Sequence, residues 1–426
     1  MTQNFDVVVV GGGTIGLSAA YHASCRKNQQ GTNYSVALVE QFDLDNNQNS
    51  SKGYERMYRI LYAPENRARL VESAYAMWHQ MESYTGTQIL AEHPMLFFGK
   101  PTSSTFEGSL QAIANTMDAL GIPYDYLDSP SAIAKEFNMF NPDGMPSDYA
   151  GLRQNMGATI LVQPSFKAFE GLASDNGVSF FRNSEATSIS RKGTEGPPYV
   201  VNLADGTQVQ AQYLIMAPGI WLNEILKSFD LKAASSWSIW TMTLGYFNTG
   251  SAFRDNLPVW YEFGDPDNGL FYGFQPTGQG PENIISEYPY AVKVSADFTN
   301  NKTNNVTTAL NTPPDPAILS DITNRLNKLF QPGTFSSTTA LSGSAAACNY
   351  SMNGDGDMVI GMVPKTPEST SYWPNASIFC MASGRGFKFT PLWGRVLVDL
   401  AIDGETSYQN DIGPFSPSRP GVFETA

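Results

Sequence analysis

A glycine-rich hexapeptide and one acidic residue have the types and spacing of a ligand site. The sequence reads G-x-G-x-x-G from Gly11 to Gly16, and an acid follows 29 residues after Gly11. Glycines at this spacing let a pyrophosphate approach the backbone at the start of a helix, where unpaired N–H groups bind it. An acid at that distance can accept hydrogen bonds from ribose hydroxyls. The pattern predicts an adenine-dinucleotide site, for FAD or NAD. Its candidate residues are Gly11, Gly13, Thr14, Ile15, Gly16 and Glu40.

The elements around this motif have to place its glycines between a strand and a helix. Phe5–Val10 (FDVVVV) is continuous and β-branched, which is typical of a buried parallel strand, and Leu17–Ser24 is predicted as a helix. A second predicted strand, Tyr34–Val39, completes a βαβ unit that ends directly before Glu40. The alternative is a glycine-rich turn without a ligand. The order of strand, glycines, helix, strand and acid favours the dinucleotide site.

Two later segments favour FAD over NAD. The predicted strand Tyr213–Met216 ends in Ala-Pro-Gly, and FAD proteins use a strand of this kind beside the dinucleotide. Near the C-terminus, Ser377–Phe389 combines a strand with a second glycine turn, and a helix is predicted over Pro391–Ile402. Such a turn at a helix start suits the isoalloxazine edge or the ribityl chain. An NAD dehydrogenase would rarely return to its nucleotide domain so late in the chain.

Composition restricts the other function classes. The 426 residues include 26 Lys and Arg and 40 Asp and Glu, which gives a net charge of −14. A chain with this negative charge is not expected to attract nucleic acid or an anionic membrane. Three histidines and three cysteines exclude a disulfide framework and argue against a metal site or a hydrolase triad. No apolar run suits a membrane span or an export signal, so we expect a cytoplasmic protein whose cofactor carries the chemistry. Cys25 and Cys380 are expected in the core, and residues 299–314 as an exposed loop.

Several short motifs resemble the monomeric sarcosine oxidase family, the N-methyl amino acid oxidases of the D-amino acid oxidase fold group. Besides the first glycine motif they are Arg56-Met57-Tyr58-Arg59, Tyr272-Gly273-Phe274, Lys293, Cys348-Asn349-Tyr350 and Gly384-Arg385-Gly386-Phe387-Lys388-Phe389. The resemblance runs over nearly the whole chain and is loosest in the middle third. It implies a monomeric FAD enzyme that oxidises the C–N bond of a secondary or N-methylated amino acid, with oxygen as acceptor.

The resemblance also implies roles for individual residues. Cys348 would be bonded to the flavin 8α carbon, where the alternative is a buried free cysteine. Arg59 and Lys388 would hold the substrate carboxylate, where the alternative is two surface cations. Lys293 would stand over flavin N5 and activate oxygen, where the alternative is an edge-strand lysine. Substrate or cofactor contacts, or else structural packing, are implied for Lys52, Arg56, Tyr272, Tyr350, Gly384, Arg385, Gly386, Phe387 and Lys388.

The chain departs from the family at positions that bear on the substrate. Lys52 and Arg385 stand where the family commonly has histidine, and Asp297 falls near another such place. The stretch Trp237–Tyr290 is rich in aromatic residues and contains an extra loop within Gln275–Tyr290. These features predict a pocket larger or more aromatic than sarcosine needs, and they leave the identity of the amine open.

We expect an α/β (α+β) chain with a Rossmann-like FAD-binding domain and an antiparallel-sheet substrate domain. The FAD domain would comprise residues 1–91, 158–226 and 343–426, and the substrate domain residues 92–157 and 227–342, with the site at their interface. The leading hypothesis is an amine oxidase in which flavin N5 takes a hydride, oxygen gives H2O2 and the imine hydrolyses. The alternatives are an FAD dehydrogenase with another acceptor, a fructosyl or primary amino acid oxidase of the same fold, and a flavin-binding protein without turnover.

Overall fold

A computed structural model describes residues 1–44, 46, 48, 50–105, 108–192, 197–263 and 270–426. Its strands are β1 Thr2–Val10, β2 Val36–Val39, β3 Glu55–Tyr58, β4 Leu90–Glu92, β5 Met95–Gly99, β6 Asp125–Leu127, β7 Ala150–Gln154, β8 Ala158–Leu161, β9 Ser179–Phe181, β10 Ala186–Arg191, β11 Tyr199–Leu203, β12 Gln208–Met216, β13 Leu231–Ala233, β14 Ser238–Asn248, β15 Val259–Phe263, β16 Phe271–Gly273, β17 Ala291–Ala296, β18 Lys302–Thr303, β19 Ala346–Met352, β20 Val359–Pro364, β21 Tyr372–Cys380 and β22 Phe423–Thr425. Its helices are α1 Thr14–Ser24, α2 Glu65–Thr85, α3 Leu110–Leu120, α4 Pro130–Glu136, α5 Val162–Asp175, α6 Leu222–Leu226, α7 Glu282–Ile285, α8 Val306–Asn311, α9 Pro316–Leu329, α10 Thr390–Asp403 and α11 Gln409–Ile412. Within the ranges described, none of the helices combines the length and the apolar character that a membrane crossing requires.

The first sheet has eight strands, with a parallel centre in the order β9-β2-β1-β12-β21. Successive valines of β1 point to opposite faces: Val7 and Val9 pack with α1 and α10, whereas Val8 and Val10 pack with α6. Burial on both faces explains why this strand is a continuous apolar run. The predicted βαβ unit is confirmed, with α1 beginning at Thr14 and not at Leu17.

The second sheet has nine strands and is antiparallel except for the β5–β15 pair. Strand β14 of this sheet pairs with β17, which carries Lys293, and with β19, which carries Cys348. The predicted mixed α/β architecture with an antiparallel second sheet is therefore confirmed. The division into two domains stays a proposal. The boundary at residue 343 would assign β19 to the FAD domain, although its strand partner β14 lies in the second sheet.

Two local expectations are wrong. Cys25 is exposed, because it lies one residue past the end of α1, where the chain leaves the core; Cys380 is buried in β21, as expected. Residues 299–314 are not a plain loop, because they contain β18 and α8. The side chain of Asn305 caps α8 by accepting a hydrogen bond from the Thr308 N–H at 2.8 Å.

Candidate active site

A first cavity, of about 190 Å³, lies where β1, β2 and β12 end and α1 begins. All six residues of the predicted dinucleotide site line it: Gly11, Gly13, Thr14, Ile15, Gly16 and Glu40. Gly384, Gly386 and Phe387 of the C-terminal turn line it as well. Two glycine turns from opposite ends of the chain therefore meet at one cavity.

The start of α1 has the properties of a phosphate site. Its N-cap is Gly13, which has no side chain to accept from the helix, and its first turn contains no acidic residue. The first N–H groups of a helix lack partners within it, and they carry partial positive charge. The Thr14 N–H donates to Ser51 Oγ at 3.2 Å, at the edge of the cavity. These residues fit the pyrophosphate of an adenine dinucleotide.

Glu40 lies at the end of β2 and is held by backbone donors. Its carboxylate accepts hydrogen bonds from the N–H groups of Gly12 at 2.6 Å and Phe42 at 3.0 Å. Burial raises the pKa of Glu40, and these hydrogen bonds oppose that change. The carboxylate is thus fixed at the cavity, where ribose hydroxyls would reach it.

Two positions of the motif accept only glycine. Gly11 has φ +103°, and a Cβ there would lie 2.3 Å from the Ala217 carbonyl oxygen. A Cβ on Gly16 would lie 1.8 Å from the carbonyl oxygen of Gly11. The tight turn and the close packing of helix on strand, which the sequence predicts, are both present.

We expect Gly16→Ala to destabilise the protein and to reduce the amount of flavin bound in the first cavity. The new methyl group has to push α1 away from the turn, which should cost about 1–3 kcal/mol of unfolding free energy and most of the bound flavin. Thermal unfolding and the ratio of flavin to protein absorbance measure the two effects. Gly171→Ala is the matched control, because Gly171 lies inside α5 and a Cβ there meets nothing within 4 Å. Normal flavin content in Gly16→Ala would contradict the assignment.

A second cavity, of about 110 Å³, lies against the nine-stranded sheet. The predicted residues that line it are Arg56, Arg59, Tyr272, Lys293, Cys348, Tyr350, Gly384, Arg385, Phe387 and Lys388. Four residues, Arg56, Tyr350, Gly384 and Phe387, line both cavities. Lys52 is among the lining residues of neither, and its carbonyl oxygen accepts a hydrogen bond from Arg56 Nη2 at 2.6 Å. The dinucleotide cavity and the second cavity therefore share a wall.

Arg59 and Lys388 are buried and are not surface cations; their exposed fractions are 3% and 7%. The Arg59 guanidinium lies 4.2 Å from the ring centroid of Tyr62 and donates to the Leu61 carbonyl. Lys388 Nζ lies 5.8 Å from the same centroid. Burial alone would raise the pKa of Tyr62, but the charges of Lys388, Arg59 and Arg385 lower it to about 8. This part of the cavity is suited to an anion.

Lys293 projects from a central strand, since β17 lies between β14 and β16, so it is not an edge-strand lysine. Its exposed fraction is 4%, and Nζ donates to the Glu55 carbonyl and lies 4.2 Å from the Phe274 ring centroid. Burial lowers its pKa to about 7, aided by the charge of Arg56 and opposed by that of Glu55. Lys293 and Ser295 share the face towards the cavity, as strand alternation predicts.

Glu55 is a part of the site that the sequence reasoning missed. It is fully buried, and its carboxylate accepts hydrogen bonds from Thr277 Oγ1 at 2.6 Å and the Tyr246 hydroxyl at 3.5 Å. Burial raises its pKa, and the charge of Lys293 opposes that change. Thr277 belongs to the extra loop. The sequence feature that could have indicated Glu55 is its place directly before Arg56. That place does not show that Glu55 is buried.

Tyrosines form another wall of the second cavity. The hydroxyls of Tyr272 and Tyr350 lie 3.3 Å apart, and the Tyr261 ring stacks on Tyr272 with centroids 6.1 Å apart. Cys348 is half-buried and lines the same cavity. Tyr261 was also missed, because nothing in its local sequence distinguishes it from packed aromatic residues. The same holds for Tyr62, which contacts Arg59 and is not among the residues that line the cavity. Within the described ranges, no group of three or more His, Cys, Asp or Glu is arranged to hold a metal ion.

Known proteins are similar to this chain in sequence and in fold. The monomeric sarcosine oxidase of Streptomyces avermitilis is 27% identical over 424 residues, 98% of each chain. The N-methyl-L-tryptophan oxidase of Yersinia pestis is 25% identical over 420 residues, 98% of this chain and 100% of the relative. The solved structure of NikD, an unusual amino acid oxidase essential for nikkomycin biosynthesis, has a TM-score of 0.78 and 25% identity over 97% of this chain and 98% of that chain. These relatives confirm the resemblance to N-methyl amino acid oxidases. A family model described as FAD dependent oxidoreductase matches residues 6–400, so this chain belongs to that family.

Proposed function

We propose that this protein is an FAD-dependent amine oxidase that oxidises the C–N bond of a secondary or N-methylated amino acid. One observation carries the proposal: two buried cations, Arg59 and Lys388, line a cavity that shares a wall with the dinucleotide cavity. The relatives named for sarcosine and N-methyl-L-tryptophan support this substrate class. Bound FAD would supply the hydride acceptor at N5.

The chain's own residues would bind and orient the substrate. Arg59 offers a planar fork and Lys388 a point charge to the substrate carboxylate. A carboxylate fixed in this way would hold the adjacent C–N bond against the shared wall, which is catalysis by positioning. The tyrosine wall of Tyr261, Tyr272 and Tyr350 would exclude water. We also propose that the enzyme acts as a cytoplasmic monomer.

We further propose that oxygen is the electron acceptor and that H2O2 is released. A fixed positive charge on Lys293 would stabilise the superoxide that develops when oxygen takes an electron. Substrates to be tested are sarcosine, pipecolate, proline, an aromatic N-methyl amino acid and a fructosyl amino acid.

Anaerobic reduction followed by air tests this function. The proposal expects one of these amines to bleach the flavin, and air to restore the colour rapidly with one H2O2 per flavin. Slow recovery in air with rapid recovery on adding a quinone would favour the dehydrogenase alternative. A flavin that no amine bleaches would favour a flavin-binding protein without turnover.

We expect the flavin to be bonded to Cys348. Acid should precipitate the wild-type protein with its yellow colour, whereas Cys348→Ala should lose all flavin to the supernatant, because no other thiol lines the second cavity among the described residues. Absorbance of the two fractions is the measurement. Cys380→Ala is the matched control, since Cys380 lines the first cavity from β21 and should leave the flavin attached. Flavin that washes out of the wild type would exclude the thioether.

A further inference from the structure

Asp297 is a carboxylate of the second cavity that the proposed mechanism does not use. It directly follows β17, so strand alternation places it on the same face as Lys293 and Ser295, and all three line the cavity. The Tyr261 hydroxyl donates to Asp297 Oδ2 at 2.8 Å. Within the part of the chain that the structure describes, Oδ1 has no hydrogen-bond partner. Asp297 therefore has one oxygen fixed by Tyr261 and one available to a ligand.

The other carboxylate that lines this cavity among the described residues, Glu55, differs from Asp297. Thr277 donates to one Glu55 oxygen and Tyr246 to the other, so protein groups satisfy both. Ionised carboxylates in a partly buried site need donors for both oxygens. Asp297 is the carboxylate with capacity for a donor from the substrate.

Asp297 lies close to residues on two sides of the cavity. Burial lowers the pKa of Arg59, and the charge of Asp297 opposes that change. Burial and then the charge of Asp297 raise the pKa of Tyr272. Asp297 thus lies near enough to act on Arg59 and on Tyr272. An amino acid has its carboxylate and its nitrogen on neighbouring atoms, so a cavity with cations and one nearby anion is complementary to both groups.

We propose that Asp297 is a specificity residue that binds the nitrogen of the substrate. The inference rests on the proposed function and adds the group that recognises the amine. The carboxylate accepts a hydrogen bond from the N–H of the substrate, and Tyr261 orients the carboxylate. Oxidation requires the amine in its neutral form, so the ammonium proton would first pass to solvent. Bound FAD would then supply the acceptor for the C–H electron pair as hydride, and the nitrogen lone pair would form the second C–N bond. The resulting iminium carries one positive charge, which Asp297 stabilises.

Two unreactive carboxylates of the same shape test this inference on the holoenzyme. α-Aminoisobutyrate and pivalate differ in one group, an ammonium in place of a methyl, and neither has a C–H bond next to nitrogen. Their dissociation constants follow from the change in flavin absorbance on titration. Wild-type protein should bind α-aminoisobutyrate more tightly, and Asp297→Asn should weaken that binding about 10- to 100-fold, as expected for a hydrogen bond to a charged group. Binding of pivalate should stay the same or become tighter.

The controls separate recognition from a structural role. Tyr261→Phe should shift the preference in the same direction by a smaller factor, because the carboxylate stays but is less well oriented. An equal loss for both ligands in Asp297→Asn would indicate a structural role and overturn the proposal. No preference in the wild type, or binding of neither ligand, would overturn it as well. Because this measurement needs no turnover, its outcome is independent of whether an amine bleaches the flavin.

Discussion

Lys293→Met is expected to slow the reoxidation of the reduced enzyme by oxygen about 100- to 1000-fold, the usual effect of removing one preorganised electrostatic group. Methionine keeps the length and the apolar stem of lysine and removes the charge. Reduction by the amine should change much less, since Arg59 and Lys388 hold the substrate in this proposal. Rapid mixing of the reduced enzyme with oxygenated buffer measures the rate. An unchanged rate would show that Lys293 has no role in the reaction with oxygen.

The pH dependence of the same rate gives a second test. Burial brings the pKa of Lys293 to about 7, so its ammonium is charged below that pH and neutral above it. Reoxidation should therefore be fast at low pH and fall as the pH rises through about 7, and Lys293→Met should lose this dependence. Among the described residues, the charges of Arg56 and Glu55 act on Lys293. Because the Glu55 carboxylate raises the pKa of Lys293, Glu55→Gln should move the fall to lower pH.

Arg59→Met is expected to lower kcat/KM for the amino acid by at least about 100-fold, because it removes one partner of a desolvated ion pair with the substrate. Most of the loss should appear in KM if Arg59 contributes equally to the ground state and the transition state. The fold should survive, since methionine packs well against Tyr62, Phe97 and Tyr261, the rings that face the guanidinium. Steady-state kinetics with the best amine of the panel gives both constants.

A conservative variant and a variant far from the cavity serve as controls for that measurement. Arg59→Lys keeps the charge and loses the planar fork, so it should recover only part of the loss. Arg182→Met is a surface control, because Arg182 is exposed and pairs with Asp43 and Glu170. If Arg59→Met and Arg182→Met behave alike, the substrate carboxylate does not bind at Arg59.

Enzymes of one fold can use different electron acceptors. We therefore expect the residues around Lys293, more than the fold, to determine which acceptor this enzyme uses. The first cavity explains dinucleotide binding and says nothing about the acceptor. Lys293 and Glu55 form a buried pair whose charges depend on each other. We expect the choice between oxidase and dehydrogenase to depend on this pair, which the Lys293 and Glu55 variants examine directly.

The sequence determined the glycine turn and the acidic residue of the first cavity. The strand, the turn and the helix around Gly11, Gly13 and Gly16 are contiguous, so their conformations follow from local sterics: a positive φ at Gly11 and a contact that excludes a Cβ at Gly16. Glu40 follows from the length of one βαβ unit. The resemblance also named Arg59, Lys293, Cys348 and Lys388, and the structure brings these residues of distant segments to one cavity.

Only the tertiary structure decided how these side chains are held. Glu55 and Lys293 are 238 residues apart, and Tyr261 meets Asp297 because β15, β16 and β17 pair in one register. Pairing between distant strands depends on the whole sheet, and a local pattern does not report which residue a side chain will face. For the same reason β19 joins the second sheet. Charge partners, burial and the resulting pKa values are properties of the packed chain, because each depends on neighbours that folding alone brings together.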